Sequence, residues 1–194
     1  MNETVEVYPK QYESILKATL AMGFPQLSEL PIGSFLAALA ASKQSGYFLE
    51  LGTGTGTGLC TSWILHGMST DSKLTTVDNS VENIDIARRY LGADPRIDIV
   101  LSNGEDVIDR TSPLSVDLIF ADTWPGKYHY LDEALACLKI GGFYIIDDMQ
   151  IRSDWSEEHN EKVRELIEQL TQRDDLVVAK LCWSTGIVMC VKVA

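Results

Sequence analysis

A doubly wound α/β fold built on a mostly parallel sheet is predicted by three features of this 194-residue chain. The run Phe48-Leu49-Glu50-Leu51-Gly52-Thr53-Gly54-Thr55-Gly56-Thr57-Gly58 is an apolar strand that breaks into alternating glycines and opens into the helix-like segment Leu59 to His66. From residue 47 onward strand-like and helix-like segments alternate, which calls for parallel strands with helices on both faces. Two strand-like runs end in acids, Asp78 and Asp122, as expected where strand tips build a site.

The elements follow in order. Segments 11–22 and 32–43 have helical spacing, and Pro25 and Pro31 punctuate the approach to the second. They form an N-terminal helical cap over residues 1–45. The α/β core, 46–194, then reads as strand 47–51, helix 57–67, strand 73–78, helix 80–91, strand 97–101, short helix 104–110, strand 116–121, helix 128–139 and strand 142–147. After Trp155 a longer amphipathic helix sets Val163, Leu166, Ile167 and Leu170 on one face. Runs 176–182 and 186–193, joined by Trp183-Ser184-Thr185, read as a closing antiparallel pair. The sheet is thus seven-stranded, and residues 1–194 are expected to form a single domain, long enough to bury a substantial core.

Composition narrows the partners. A net charge of −12 without clustered Lys and Arg argues against nucleic acid, since counterion release needs such clusters. No apolar run is long enough to span a bilayer, and Met1 to Val7 lacks a basic leader followed by an apolar stretch. A cytoplasmic protein acting on a small molecule, as a monomer or homodimer, is expected. Cys60, Cys137, Cys182 and Cys190 form no Cys-x-x-Cys pair and are read as reduced.

Glycines at 52, 54, 56 and 58 tolerate positive φ and admit a ligand close to the backbone, while the strand-to-helix turn aims N–H groups at it. Neither familiar phosphate pattern is met. The position five residues after Gly52, Gly54 or Gly56 is Thr57, Leu59 or Thr61, and no lysine follows the loop. Glu50, just before the first glycine, repels a pyrophosphate and attracts a cationic ligand, directly or through water. Asp78 follows Gly56 by 22 residues. Alone it serves equally as a helix cap or a ribose ligand, and its distance from the glycines favours ribose.

Glu50-Leu51-Gly52-Thr53-Gly54-Thr55-Gly56 with Asp78 closing the next strand resembles motifs I and II of class I S-adenosylmethionine-dependent methyltransferases, whose fold is Rossmann-like. Val116 to Asp122, followed by Tyr128 and Leu131, and Leu138 to Asp148 resemble the catechol and caffeoyl-coenzyme A O-methyltransferase branch. The resemblance implies a cofactor site of Glu50, Gly52, Thr53, Gly54, Gly56, Asp78, Asn79, Gly104, Glu105 and Asp122. Asn103 to Asp106 falls where related enzymes contact the adenine, although a plain helix cap explains it equally.

The implied reaction moves a methyl group from a sulfonium to a hydroxyl oxygen of a small acceptor, which needs in-line positioning and removal of a proton. Two devices are available. Asp122, Asp147 and Asp148 offer oxygen donors suited to Mg²⁺, Ca²⁺ or Mn²⁺. Lys127, five residues past Asp122, is the candidate base, with Asp122 beside it. Two departures mark the chain: Asp147-Asp148 stands where relatives carry Asp-Asn, and Pro125-Gly126 displaces the lysine. Trp124 and Trp155, in loops, are candidate walls of the acceptor pocket. The alternatives are a metal-independent methyltransferase and a non-catalytic nucleoside-binding module.

Overall fold

The computed structural model describes residues 7–24, 27, 29–53 and 57–194. Two helices, α1 (Tyr12–Met22) and α2 (Leu30–Ala41), precede the core. The core runs β1 (Tyr47–Leu51), α3 (Leu59–Gly67), β2 (Lys73–Asp78), α4 (Val81–Leu91), β3 (Ile97–Leu101), α5 (Gly104–Arg110), β4 (Val116–Ala121), α6 (Leu131–Cys137) and β5 (Leu138–Ile146). It closes with α7 (Glu157–Thr171), β6 (Leu176–Leu181) and β7 (Ile187–Lys192). Among the described residues the strands form one seven-stranded sheet in the order β3-β2-β1-β4-β5-β7-β6. Neighbouring strands from β3 to β5 are parallel, and β7 runs antiparallel to both β5 and β6. Strand order reverses between β1 and β4, so a crevice opens at their carboxyl ends.

Strand periodicity decides which side chains reach which layer. Phe48, Leu74, Leu118, Phe120 and Ile145 pack with Leu36, Trp63 and Ile64 on the α2–α3 side. Leu49, Leu51, Ile119, Ala121, Tyr144 and Ile146 pack with Leu131, Val163, Leu166 and Leu170 on the α6–α7 side. Glu50 shares the parity of Phe48, which turns its carboxylate toward α3. α2 and α3 cross closely because their contact is made of small residues. A Cβ on Gly33 would stand 2.3 Å from Trp63 Cδ1, and one on Gly67 would stand 2.0 Å from the Ala37 carbonyl oxygen.

Several predicted boundaries shift. α2 begins two residues earlier than expected, because Pro31 occupies its first turn, where a fixed φ suits the helix and no N–H is missed. The helix predicted over 128–139 spans only 131–137. Tyr130 and Gly126 have positive φ, and a tight turn over 125–130 replaces its first part. Its last residues belong to β5: Leu138 pairs with Val116, and the register then shifts before Leu118 meets Phe143. Gly141, at φ 78°, absorbs the irregularity, so both glycines of the pair lie inside the strand, where the sequence predicts a start at Gly142. Among the described residues no helix is long and apolar enough to cross a membrane. Among the described residues no cysteine forms a disulfide; Cys60, Cys137 and Cys190 are buried and Cys182 is exposed.

Candidate active site

Backbone hydrogen bonds continue the parallel ladder past the strand ends and gather the following loops into one rim. Gly52 N–H donates to Val77 O (2.9 Å), Asp122 N–H to Leu51 O (2.9 Å) and Ser102 N–H to Asp78 O (3.1 Å). Gly52 has φ 88°, and a Cβ there would lie 2.9 Å from the Asp122 carbonyl oxygen. Only glycine lets β1 turn out beside β4 at this point. Above this rim is a cavity of about 310 Å³ lined by Gly52, Asp78, Asn79, Gly104, Glu105 and Trp124, among others. Five residues expected at the cofactor therefore converge from the ends of three adjacent strands. Gly54 and Gly56 lie outside the described residues.

Glu50, expected to attract the ligand directly or through water, and Thr53, expected at the cofactor, are braced in the protein interior. Both are fully buried, and neither lines the cavity. Glu50 Oε2 accepts from Thr61 Oγ1 of α3 (2.5 Å) and from Thr76 Oγ1 of β2 (2.6 Å), while Thr76 lies 3.1 Å from Thr53 Oγ1. The acid braces the start of the glycine turn from below. Thr19 of α1 meets Thr57 at 2.6 Å on the far side of that turn. Parity exposes this network only once β1, β2 and α3 are assembled, since nothing in the order of residues ties Thr61 or Thr76 to Glu50. Replacing Glu50 with Ala strands two buried hydroxyls and should cost about 1–3 kcal/mol of stability, read from denaturant unfolding. An unchanged midpoint would contradict the brace.

Asp78 does double duty at the cavity wall. Its Oδ1 accepts from Ser80 N–H (2.8 Å) and lies 3.4 Å from Asn83 Nδ2, while Ser80, not Asp78, caps α4. Partial burial raises its pKa, and the hydrogen bonds from Ser80 and Asn83 oppose that rise.

At the other end of the crevice stands an acid cluster. Asp122 Oδ2 is buried with no hydrogen-bond partner among the described residues. Burial, and then the charges of Asp147 and Asp148, hold its pKa well above the usual carboxylate range. Asp147 is pushed up to about 6, by burial first and by Asp148 second. Its Oδ1 accepts from Thr185 Oγ1 and from Asp148 N–H. Among the described residues no group of three or more His, Cys, Asp or Glu side chains is arranged to hold a metal ion. The residues of the expected cation set, Asp122, Asp147 and Asp148, are brought together as carboxylates that act on one another: Asp147 Oδ1 accepts from its neighbours, Asp122 Oδ2 has no partner among the described residues, and Asp148 follows at φ 58°.

The raised value of Asp147 has a pH consequence. Folded protein holds this proton more tightly than unfolded chain, whose value is near 3.8. The penalty is absent below that value, grows through pH 4 to 6 and is complete above about 6. Stability should fall across this window by the share Asp147 carries. Asp147→Asn, which can still accept from Thr185, should flatten the fall and raise the melting temperature at pH 7. An unaltered pH profile in the variant would contradict it.

Lys127 is 5 % exposed, so it is not the solvated residue its loop position allows. The tight turn buries it. Lys127 and Tyr128 N–H both donate to Trp124 O, Gly126 N–H donates to His129 O (2.7 Å), and the buried Tyr144 hydroxyl donates to Gly126 O. The positive charge of Lys127 acts on Asp122, Asp147 and His159. Around it stand aromatic rings: Trp124 on Tyr128 at 5.6 Å, Tyr128 on His159 at 5.7 Å and Trp155 on His159 at 4.4 Å. Trp155 belongs to this box without lining the cavity, and Trp124 extends from the box to the cavity wall. His159 and Tyr128 were not evident from sequence as members, and the only hint was the i, i+4 spacing of Trp155 and His159. Burial, followed by the charge of Lys127, lowers the pKa of His159. Burial, with Asp148, raises that of Tyr128 to about 12.

A glycine turn at β1, an acid at the tip of β2 and a crevice at the strand-order switch define the class of Rossmann-like nucleoside-binding folds. Within that class the chain belongs to the O-methyltransferase family, whose family model matches residues 9–193. A Mycobacterium ulcerans protein named "Putative O-methyltransferase" is 32% identical over 120 residues, covering 59% of this chain and 53% of that protein. The chain thus spans about half the length of the curated relatives it matches. Its fold is also similar to an O-methyltransferase from Bacillus cereus solved with SAH (TM-score 0.82, 21% identity, 98% and 94% of the two chains). A third likeness is to the O-methyltransferase TomG from Streptomyces achromogenes, solved with SAM (TM-score 0.82, 21% identity, 95% and 90%).

Proposed function

We propose that this chain transfers a methyl group from S-adenosylmethionine to a hydroxyl oxygen of a small-molecule acceptor. The observation that carries this reading is the cavity joining Gly52, Asp78, Asn79, Gly104 and Glu105, continued by the Asp122–Lys127 corner under an aromatic box. The cofactor supplies an electrophilic methyl on a positively charged sulfur. Asp78 is proposed to hold the ribose hydroxyls, and the net negative cluster at Asp122, Asp147 and Asp148 favours a cationic sulfur nearby. Trp124, Tyr128 and Trp155 exclude water and hold the acceptor. Asp122 is the group proposed to take the hydroxyl proton as the oxygen–carbon bond forms and the sulfur–carbon bond breaks, with the charge of Lys127 beside it steadying the oxygen as its proton leaves.

No step is routed through a divalent cation, and the proton transfer is assigned to this chain's own residues. Turnover should therefore be the same in Mg²⁺ and in chelator. A rate that chelator abolishes and Mg²⁺ restores would reinstate the three-aspartate cation site. The reading as a whole is tested by calorimetric titration with S-adenosylhomocysteine and with NAD. Saturable binding of the first and none of the second is expected, and the reverse would overturn it.

A further inference from the structure

The cavity has a second wall contact that the reaction does not require. Glu105, on the first turn of α5, and His129, in the turn after β4, both face the cavity, and His129 Nε2 lies 2.8 Å from Glu105 Oε1. An ionised carboxylate can only accept, so Nε2 carries the hydrogen and donates. His129 is itself held: its carbonyl accepts from Gly126 N–H at 2.7 Å, and it pairs with Pro125 in an isolated β-bridge. The two walls also touch at Gly104, where a Cβ would stand 2.9 Å from Pro125 Cβ. The Glu105 carboxylate is thereby tied on one oxygen to a rigid turn. Among the described residues its Oε2 makes no hydrogen bond.

We propose that His129 is a positioning residue that fixes Glu105 to read the exocyclic amine of the cofactor's purine, so that the pair sets base selectivity. The proposal rests on the methyltransferase reading above. In the sheet order the chemical corner at β4 is followed by β1 with Gly52, β2 with Asp78 and β3 with the Asn103–Glu105 turn. A nucleoside whose ribose meets Asp78 and whose sulfur points toward Asp122 puts its base at the far end, against Glu105. A carboxylate there accepts from a 6-amino group and is mismatched to the carbonyl of a 6-oxo purine. A glutamate free to swing would discriminate weakly, and one tied through its other oxygen offers a fixed acceptor. The pair is partly exposed, with 42% and 31% of the two side chains accessible, so it contributes little to holding the fold. Its consequence falls on ligand choice.

The test compares affinities for S-adenosylhomocysteine and its hypoxanthine counterpart, S-inosylhomocysteine, by calorimetry on the intact chain. Wild type should favour the adenine form by about tenfold or more, the effect of one hydrogen bond to a charged group. His129→Ala should bring the ratio to within about threefold, with its melting temperature nearly unchanged, and His129→Gln, which keeps a donor, should restore most of it. A ratio unchanged in His129→Ala, or an equal loss of affinity for both ligands, overturns the proposal. Wild type binding both ligands equally overturns it while leaving the methyltransferase reading intact. Wild type binding neither overturns that reading and this proposal together.

Discussion

Replacing Lys127 by Met should lower turnover by about 10²–10⁴-fold while affinity for S-adenosylhomocysteine stays within about twofold. The separation is expected because Lys127 does not line the cavity walled by Asp78 and Glu105, yet its charge acts on Asp122 and Asp147. Methionine keeps the length and apolar bulk of the stem, so the turn against Tyr128 and Trp124 should survive. Removing the amine leaves the carboxylates without their compensating charge, which drives them further toward protonation. Cofactor release rate, calorimetry and product formation with a phenolic probe acceptor read the two effects apart. A rate within threefold of wild type would remove Lys127 from the chemistry, and a parallel loss of binding would make it a cofactor ligand instead.

Gly67→Ala should destabilise the fold by about 3 kcal/mol, at the upper end of what overpacking a core costs. Alanine is the better helix former by about 1 kcal/mol, so on propensity alone the change would stabilise α3. Packing reverses the sign. The added Cβ would stand 2.0 Å from Ala37 O and 2.7 Å from Ala37 C, both backbone atoms that cannot rotate away. α2 and α3 would have to part by more than 1 Å along a contact that also seats Gly33 under Trp63. Denaturant unfolding measures the loss, and a midpoint equal to or above wild type would show that the crossing yields. Gly33→Ala meets the side chain of Trp63 and is the gentler comparison.

Much of the fold could be read residue by residue. The strands 47–51, 73–78, 97–101 and 116–121 and the helix 104–110 agree with their expected bounds, because each is short, bordered by turn residues and patterned by burial alone. Around 125–142 local pattern fails. An apolar run such as Ala134 to Leu138 suits a helix or a strand, and pairing of Leu138 with Val116 ends α6, a long-range contact that no local window contains. The turn before α6 depends in the same way on the Tyr144 hydroxyl reaching Gly126 from β5.

The site divides along the same line. Spacing along the chain already placed Gly52, Asp78, Asn79, Gly104 and Glu105 at one crevice, since residues at the ends of consecutive parallel strands must meet whatever the details of packing. Order along the chain could not say that Glu50 would face Thr61 and Thr76, that Lys127 would be buried, that Asp147 would spend an oxygen on Thr185, or that His129 would reach across to Glu105. Those are contacts between segments 11 to 38 residues apart. Such contacts exist only after strand parity and loop packing have set directions, so their chemistry is a property of the assembled fold.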